Sequence, residues 1–261
     1  MTRGLYTSMV GMRQQMNRMD VLSNNIANVD TAGFKKDSVA SRSFTEELMV
    51  RVHDPRMFLP SRTAPVGPFS SGVMTDEVFT DFSPGSLHAE TDPLAAAITG
   101  PGFFTVSYTL PTGEVVQRYT RDGAFTLNNL NQLMTKDGGY VLGQGGEPVT
   151  IPLEQGLPTI DGNGNISQNG VLTDTLLMAD FTDYTTLRKV GNNCYEITPQ
   201  TQMAAFTGRI EQGYLEDSNV NAVKEMVDLI NVSRLYDANQ RFVTAHDAIL
   251  NRAVNDVARR A

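Results

Sequence analysis

A C-terminal run of about forty residues without glycine or proline, beginning at Asn221, is the strongest constraint on the fold. Its apolar and aromatic residues recur at steps of three and four, with Asn239 and His246 as polar members. This pattern predicts one helix of about 60 Å, at about 1.5 Å per residue. We call its main members the C-terminal stripe: Met226, Leu229, Val232, Tyr236, Val243 and Leu250. A helix of this length cannot cover its own apolar side.

The first thirty residues show a second stripe with the same spacing. Ser23 interrupts it, and polar residues surround it, so the sequence predicts an amphipathic helix from about residue 3 to 27. We call this set the N-terminal stripe: Leu5, Met9, Met12, Met16, Met19 and Ile26. Because the two predicted helices differ in length, pairing within one chain leaves apolar surface that other copies can cover.

The stretch "SNNIANVDTAGFKK", from Ser23 to Lys36, ends the first helix. Short polar side chains compete for backbone hydrogen bonds, and glycine accepts a positive φ angle, so this composition is typical of a turn. The whole stretch, residues 23–36, is expected to be a corner at which the chain changes direction, and below we use "the corner" for its part after the helix, residues 28–36.

The middle of the chain is rich in Thr, Val, Phe and Tyr, with glycine-containing turns between alternating segments such as "FFTVSYTL" and "GAFTL". This texture predicts antiparallel hairpins. The fold class is therefore α+β, with a paired, coiled-coil-like domain of terminal helices and a central antiparallel β-rich domain. The predicted boundaries are residues 1–33 and 219–261 for the helical assembly domain, 34–81 for an extended connecting segment, and 82–218 for the β-rich domain.

The distribution of charged residues also distinguishes the middle of the chain from its two ends. The formal charge is −8 overall, and it is concentrated between residues 41 and 218, while the two ends are nearly neutral. An acidic chain without clustered Lys and Arg is not expected to bind nucleic acid. The nearly neutral, apolar-striped ends are better candidates for protein contacts. The N-terminus has no apolar block and no small-residue cleavage site, so no cleaved signal peptide is expected.

No sequence motif predicts a catalytic, cofactor or metal site. The three histidines lie far apart, and the chain has no HExxH, GxSxG, P-loop or GxGxxG motif before a helix. Cys194 is a single cysteine and is expected to be a buried apolar residue. The turn "IDGNGNIS", from Ile160 to Ser167, lacks the acidic ligand and flanking helices of a calcium loop, so we expect an ordinary turn.

Three segments, in the same order, resemble the flagellar basal-body rod and hook protein family: "LSNNIANVDTAGFKK", then "GFFTV" with "YTRDGAFTL", then "GYLEDSNVNAVKEMVDLI". The resemblance covers nearly the whole chain. It implies a bacterial axial protein, exported unfolded through the flagellar type III apparatus, that polymerises helically into the drive shaft. The implied partners are copies of itself, other rod and hook proteins, and surrounding ring proteins, with no small-molecule substrate.

The resemblance also assigns residues. It implies a corner after the first helix and a returning corner before the last one, formed by Asn24, Asn25, Ala27, Asn28, Thr31, Gly33 and Phe34, and by Ser218, Asn219, Val220 and Asn221. Ala95 stands where rod proteins often carry Asp, which puts one turn contact in doubt. The long segment rich in Pro, Gly and Ser favours the distal rod over the proximal rod.

A second function class stays open at this point. The chain could be a soluble β-domain binding module whose helices form only a closed oligomer, with Phe103, Phe104, Tyr108 and Tyr119 lining a ligand face. An enzyme is a third class, and it would need a site that no local pattern reveals. Open-ended growth distinguishes the rod from both.

Overall fold

The computed structural model describes residues 2–51, 64–70, 72–111, 113–152 and 156–258. It has an N-terminal helix, a C-terminal helix and a central antiparallel β-rich region, as the sequence predicts. Helix α1 spans Thr2–Ala27 and helix α2 spans Ala222–Ala258. Helix α2 is long because no glycine or proline interrupts it, and Glu225 in its first turn suits the positive end of the helix dipole. Within the described residues, neither helix combines the length and apolar character needed to cross a membrane.

The described chain divides into two compact units. The first contains the described residues of Met1–Ile26, Asp37–Phe79 and Ala222–Ala261, and the second contains those of Ala27–Lys36 and Thr80–Asn221. The segment that the sequence predicts as an extended connection therefore carries secondary structure of its own. Its strands are β1 (Asp37–Ser43), β2 (Glu47–Arg51), β3 (Ala64–Phe69) and β4 (Val73–Thr80), with β1 paired to β4 and β2 to β3. The domain boundaries given above stay predictions.

The second unit contains the remaining strands. They are β5 (Leu87–Ala89), β6 (Ala96–Thr99), β7 (Phe103–Thr109), β8 (Val115–Thr120), β9 (Phe125–Leu127), β10 (Leu133–Thr135), β11 (Tyr140–Val141), β12 (Thr159–Ile160), β13 (Asn165–Gln168), β14 (Val171–Thr175), β15 (Met178–Phe181), β16 (Leu187–Val190), β17 (Cys194–Ile197), β18 (Met203–Ala204), β19 (Arg209–Gln212) and β20 (Tyr214–Glu216). The predicted hairpin of β7 and β8 forms, with Phe104 opposite Thr120 and Thr109 opposite Val115.

The main sheet of this unit has the strand order β16-β17-β8-β7-β11-β10-β9, and β15 pairs with both β7 and β18. Alternate apolar side chains of these strands form the core, including Phe104, Val106, Phe125 and Leu133. Smaller pairings join β6 to β19 and β5 to β20. Strands from the end of the β region thus return to pair with its beginning, which closes the unit.

The "IDGNGNIS" segment is a turn between β12 and β13, as predicted. The carboxylate of Asp161 accepts hydrogen bonds from the backbone amides of Asn163 and Asn165, each at 2.9 Å, and from the Asn165 side chain at 2.9 Å. These bonds lower the pKa of Asp161 below its ordinary value. The acidic side chain therefore stabilises the turn itself.

Cys194 is 1% exposed, as expected for a buried small residue. Its thiol lies 3.6 Å from the hydroxyl of Tyr108. Burial raises the pKa of the thiol above its ordinary value. A protonated, enclosed thiol of this kind is chemically unreactive.

Candidate assembly surfaces and corner

Helices α1 and α2 contact each other within the first unit. The Asn25 side-chain amide donates to the carboxylate of Glu225 at 3.3 Å. A Cβ atom placed on Gly11 would lie 3.3 Å from Nδ2 of Asn239, and one placed on Gly4 would lie 3.2 Å from Nε2 of His246. Residue numbers rise along α1 while those of their partners on α2 fall. The two helices are therefore antiparallel.

The same contacts define a register. Gly4, Gly11 and Asn25 are separated by seven and fourteen residues, and their partners on α2 are spaced identically. A seven-residue spacing on both helices keeps one face of each turned towards the other. At Gly4 and Gly11 the missing side chain allows a close approach. The face of α1 that touches α2 is thus built partly from glycine and asparagine.

The N-terminal stripe lies beside this glycine face. In the single chain, Met9 is 61% exposed and Met16 is 52% exposed. The remaining members of the stripe are only partly buried: Leu5, Met12, Met19 and Ile26. Sequence reasoning followed the most apolar residues and missed the glycines, although Gly4 and Gly11 already show the seven-residue spacing. The chain leaves much of this methionine-rich surface uncovered.

The C-terminal stripe is covered more fully. Val232 is 1% exposed, and its neighbours in the stripe are partly buried: Leu229, Tyr236, Val243 and Leu250. Met226 is an exception at 49% exposed, and the adjacent Glu225 is buried instead and bonds to Asn25. A carboxylate rather than a thioether fills this position because Asn25 supplies a hydrogen-bond donor there.

Helix α2 also carries apolar residues that the sequence analysis did not select. Leu235, Phe242 and Ile249 follow each other at seven-residue steps and are 51%, 50% and 57% exposed. We call these three the outer stripe. Large apolar side chains repeated along one helix face are costly to leave in water. The outer stripe and the exposed methionines of α1 are therefore candidate contact surfaces.

The corner is a network of backbone bonds in the second unit. The amide of Thr31 donates to the Asn28 carbonyl at 3.3 Å, which starts the turn after α1. Gly33 has a φ angle of +67°, and its amide donates to the carbonyl of Glu216 at 2.7 Å. The Phe34 carbonyl accepts a bond from the Asn219 amide at 3.4 Å. The two predicted corner motifs thus meet directly.

Asn219 joins three chain segments. Its side-chain oxygen accepts from the Lys36 amide at 2.8 Å, and its side-chain nitrogen donates to the carbonyls of Asp81 at 2.8 Å and Ser83 at 3.2 Å. Asparagine is well suited here because its amide offers a donor and an acceptor in fixed geometry. Lys36 also accepts a bond from the Asp81 amide through its carbonyl, at 2.9 Å.

The other residues that the family resemblance assigns to the two corner motifs have separate positions. Asn25 is 1% exposed and exchanges two hydrogen bonds with the backbone of Asp37, at 2.9 and 3.0 Å. Val220 is 8% exposed, and its amide donates to the Ser218 hydroxyl at 3.3 Å. Three lie at the surface: Asn24, Ala27 and Asn221. The buried members have structural partners, which explains their residue types.

Buried charges also lie beside the corner, and sequence reasoning did not select them. The carboxylate of Glu216 forms ion pairs with Lys35 and Arg121, at 2.5 and 3.2 Å. Burial lowers the pKa of Lys35, and the neighbouring Glu216 carboxylate opposes that shift. One sequence feature could have identified these three residues: each lies inside one of the segments that carry the family resemblance.

The turn around Ala95 does not depend on an acidic side chain at that position. Ala95 is buried, and its amide donates to the Asp92 carbonyl at 3.1 Å. The Asp92 carboxylate accepts from the Leu94 amide at 2.9 Å. Asp92 therefore stabilises this turn.

The aromatic residues of the predicted ligand face lie mostly in the core. Phe103 and Phe104 are fully buried, and Tyr119 is 4% exposed. Tyr108 is partly buried and packs against the core cluster that contains Phe104. Within the part of the chain that the structure describes, no three His, Cys, Asp or Glu side chains are grouped to hold a metal ion. The helices and the corner are therefore better candidates for the functional surfaces than this set of aromatic residues.

Family models match three parts of the chain. The model described as "Flagella basal body rod protein" matches residues 5–35. The "Flagellar hook protein FlgE/F/G D1 domain" matches residues 97–168, and the "Flagellar basal body rod FlgEFG protein C-terminal" matches residues 211–256. The matched ranges include α1 with the corner, part of the β region, and the last strands with α2.

Several named proteins are similar over nearly their whole length. The flagellar basal-body rod protein FlgG of Buchnera aphidicola subsp. Schizaphis graminum is 32% identical, covering 97% of this chain and 98% of the relative. The flagellar basal-body rod protein FlgF of Caulobacter vibrioides is 35% identical, covering 88% of each. FlgG of Bacillus subtilis is 30% identical, covering 98% of this chain and 99% of the relative.

Proposed function

The chain belongs to the flagellar basal-body rod protein family, and from this premise we propose that it polymerises helically, through its terminal helices, into a shaft that transmits torque. It is a structural rod subunit of the bacterial flagellar basal body. Family membership also supports contacts with other flagellar axial proteins and with copies of the chain itself.

The exposed helix surface carries this proposal. In the single chain, Met9 and Met16 on α1 and the outer stripe on α2 are all about half exposed or more. The two surfaces differ, so a contact between one copy's α1 and another copy's α2 is heterologous. A heterologous contact that does not close on itself repeats without limit and builds a helical filament.

We further propose that α1 and α2 of one chain pair as an antiparallel coiled-coil-like unit. The seven-residue spacing of the Gly4, Gly11 and Asn25 contacts supports this arrangement. Pairing of this kind leaves the opposite faces of both helices free for neighbouring copies. The paired helices then form the inner wall of the shaft.

A cysteine pair tests the register. Gly11→Cys combined with Asn239→Cys is expected to form a disulfide within one chain under mild oxidation, because these positions face each other. Gly11→Cys combined with His246→Cys is the control, since His246 lies about 10 Å further along the helix axis. Mass and gel mobility of the dilute, unreduced monomer report the result. Equal cross-linking of both pairs would contradict the proposed register.

Export through the flagellar type III apparatus and contact with surrounding ring proteins complete the proposal. We place the chain in the distal rod rather than the proximal rod. The segment from about residue 37 to 81 supports this placement, because it resembles the extended stretch of distal-rod proteins. Its described part contributes four strands. Additional structure at this point gives each subunit more surface with which to stiffen a shaft.

Sedimentation velocity over a wide concentration range tests open-ended growth. We expect the full chain to form a continuous series of ever larger species as concentration rises, because each added copy exposes a new contact surface. Electron microscopy of the fast-sedimenting fraction is expected to show filaments of uniform diameter. One oligomer of fixed size at all concentrations would refute helical polymerisation and favour the closed oligomer of a binding module.

A further inference from the structure

Three charged side chains from distant parts of the chain meet inside the second unit. Lys35, Arg121 and Glu216 are 0%, 4% and 2% exposed. Lys35 comes from the corner, Arg121 follows β8, and Glu216 ends β20. None of them contributes to the exposed helix surfaces of the proposed assembly. Their burial therefore needs a separate explanation.

The carboxylate of Glu216 is the centre of the cluster. One oxygen accepts from Lys35 Nζ at 2.5 Å and from the Gly85 amide at 2.9 Å. The other accepts from Arg121 Nη1 at 3.2 Å. Both carboxylate oxygens are thus engaged, and both cations depend on the same anion. Without it, two positive charges would remain buried together.

Each cation also donates to a backbone carbonyl, and the guanidinium carbon of Arg121 lies 5.4 Å from the centroid of the Phe103 ring. Lys35 Nζ also donates to the Ser83 carbonyl at 2.9 Å, and Arg121 Nη2 donates to the Gly100 carbonyl at 2.6 Å. Carbonyl oxygens stabilise a cation but do not neutralise it. Removing one partner from a buried ion pair is strongly destabilising, because the remaining charge has no water around it. We therefore expect the three charged side chains to become buried together, in a single step.

The cluster joins residues that are far apart in sequence. Lys35 and Glu216 are separated by 181 residues, and Arg121 and Glu216 by 95. The backbone of the corner depends on the same late segment, because the Gly33 amide bonds to Glu216 and the Lys36 amide bonds to Asn219. Contacts across such separations form only after a large loss of chain entropy.

We propose that Glu216 closes a latch, so that the corner takes up its structure only when the segment 216–219 docks against it. Until then the corner lacks the acceptors for two of its amides and the anion for Lys35. Helix α1 precedes this latch in the chain and α2 follows it, so both chain segments leading to the helices become fixed in one late step. This inference concerns a single chain and does not depend on polymerisation.

Pulsed amide hydrogen exchange during refolding of the dilute full chain tests the latch. The Gly33 and Lys36 amides report the corner, and the Asp217 amide, bonded to Ser86 at 2.8 Å, reports docking of the late segment. The Leu133 amide, bonded to Val149 at 2.8 Å, reports the core. We expect the three latch amides to become protected in one phase, no earlier than Leu133.

Glu216→Gln removes the anion while keeping the side-chain shape. We expect it to slow protection of the Gly33, Lys36 and Asp217 amides by about tenfold or more, the factor given by loss of one charge-assisted hydrogen bond, with Leu133 unchanged. Lys35→Met is the second variant, because it leaves the Glu216 pair with Arg121 intact and should show a smaller delay in the same phase.

Arg188→Gln is the matched control. It neutralises an ion pair with Glu196 in which Arg188 is 69% exposed, and it should change none of the four amides. The latch is refuted if Gly33 and Lys36 gain protection before Asp217. It is also refuted if Glu216→Gln and Lys35→Met leave the corner unaffected, or slow Leu133 as much as the corner. None of these readouts involves filament growth.

Discussion

Replacing Gly33 by alanine is expected to lower the free energy of unfolding by about 2 to 4 kcal/mol. Gly33 has a φ angle of +67°, a conformation that side chains with a Cβ atom rarely adopt. A Cβ atom here would also lie 2.4 Å from the carbonyl carbon of Arg121 and 2.5 Å from its oxygen. These are backbone atoms beside the buried ion cluster, so they cannot move aside cheaply.

Gly138→Ala is the matched control for this change. Gly138 has a φ angle of +87°, but a Cβ atom there would meet nothing within 4 Å. It should therefore cost only the backbone strain, about 1 kcal/mol. Because the chain has no tryptophan, far-UV circular dichroism in a urea titration is the suitable measurement. Equal losses in both variants would show that the close contact with Arg121 has no energetic weight.

The secondary structure could be predicted from local sequence because it depends on local rules. Helix α2 follows from a long run without glycine or proline, and the β7–β8 hairpin follows from alternation around "PTGE". The orientation of α1 could not be predicted in this way. The apolar residues of α1 identify a face that is expected to be buried in a contact, but they do not show whether α2 or another copy of the chain makes that contact. At Gly4 and Gly11, the contact with α2 depends on the absence of a side chain, which leaves room for His246 and Asn239.

The corner shows the same limit in another form. Its turn residues, such as Gly33 and Asn219, were predicted because turn chemistry and family resemblance both select them. Lys35, Arg121 and Glu216 were not, since charged side chains are mostly exposed and nothing local indicates burial. Their pairing depends on contacts separated by 95 and 181 residues, which single-sequence patterns do not contain.

Replacing Met16 by aspartate is expected to abolish filament growth while leaving the single chain folded. Met16 is 52% exposed, so the charge lies in water in the monomer and costs little there. In a filament, the change loses the burial of a methionine and places an unpaired charge in an apolar contact. Together these costs, about 3 kcal/mol or more for each contact, raise the concentration needed for growth by at least about 100-fold.

Sedimentation velocity measures this effect, and circular dichroism verifies that the helices persist. Gln240→Asp adds the same charge at an exposed polar position of α2 and should leave growth nearly unchanged. Leu250→Asp should also stop growth, but it is less specific because Leu250 is partly buried within the chain. Because every subunit in an open array repeats the same contact, one substitution acts at all contacts simultaneously. Normal growth of the Met16 variant would therefore exclude the exposed methionine face from assembly.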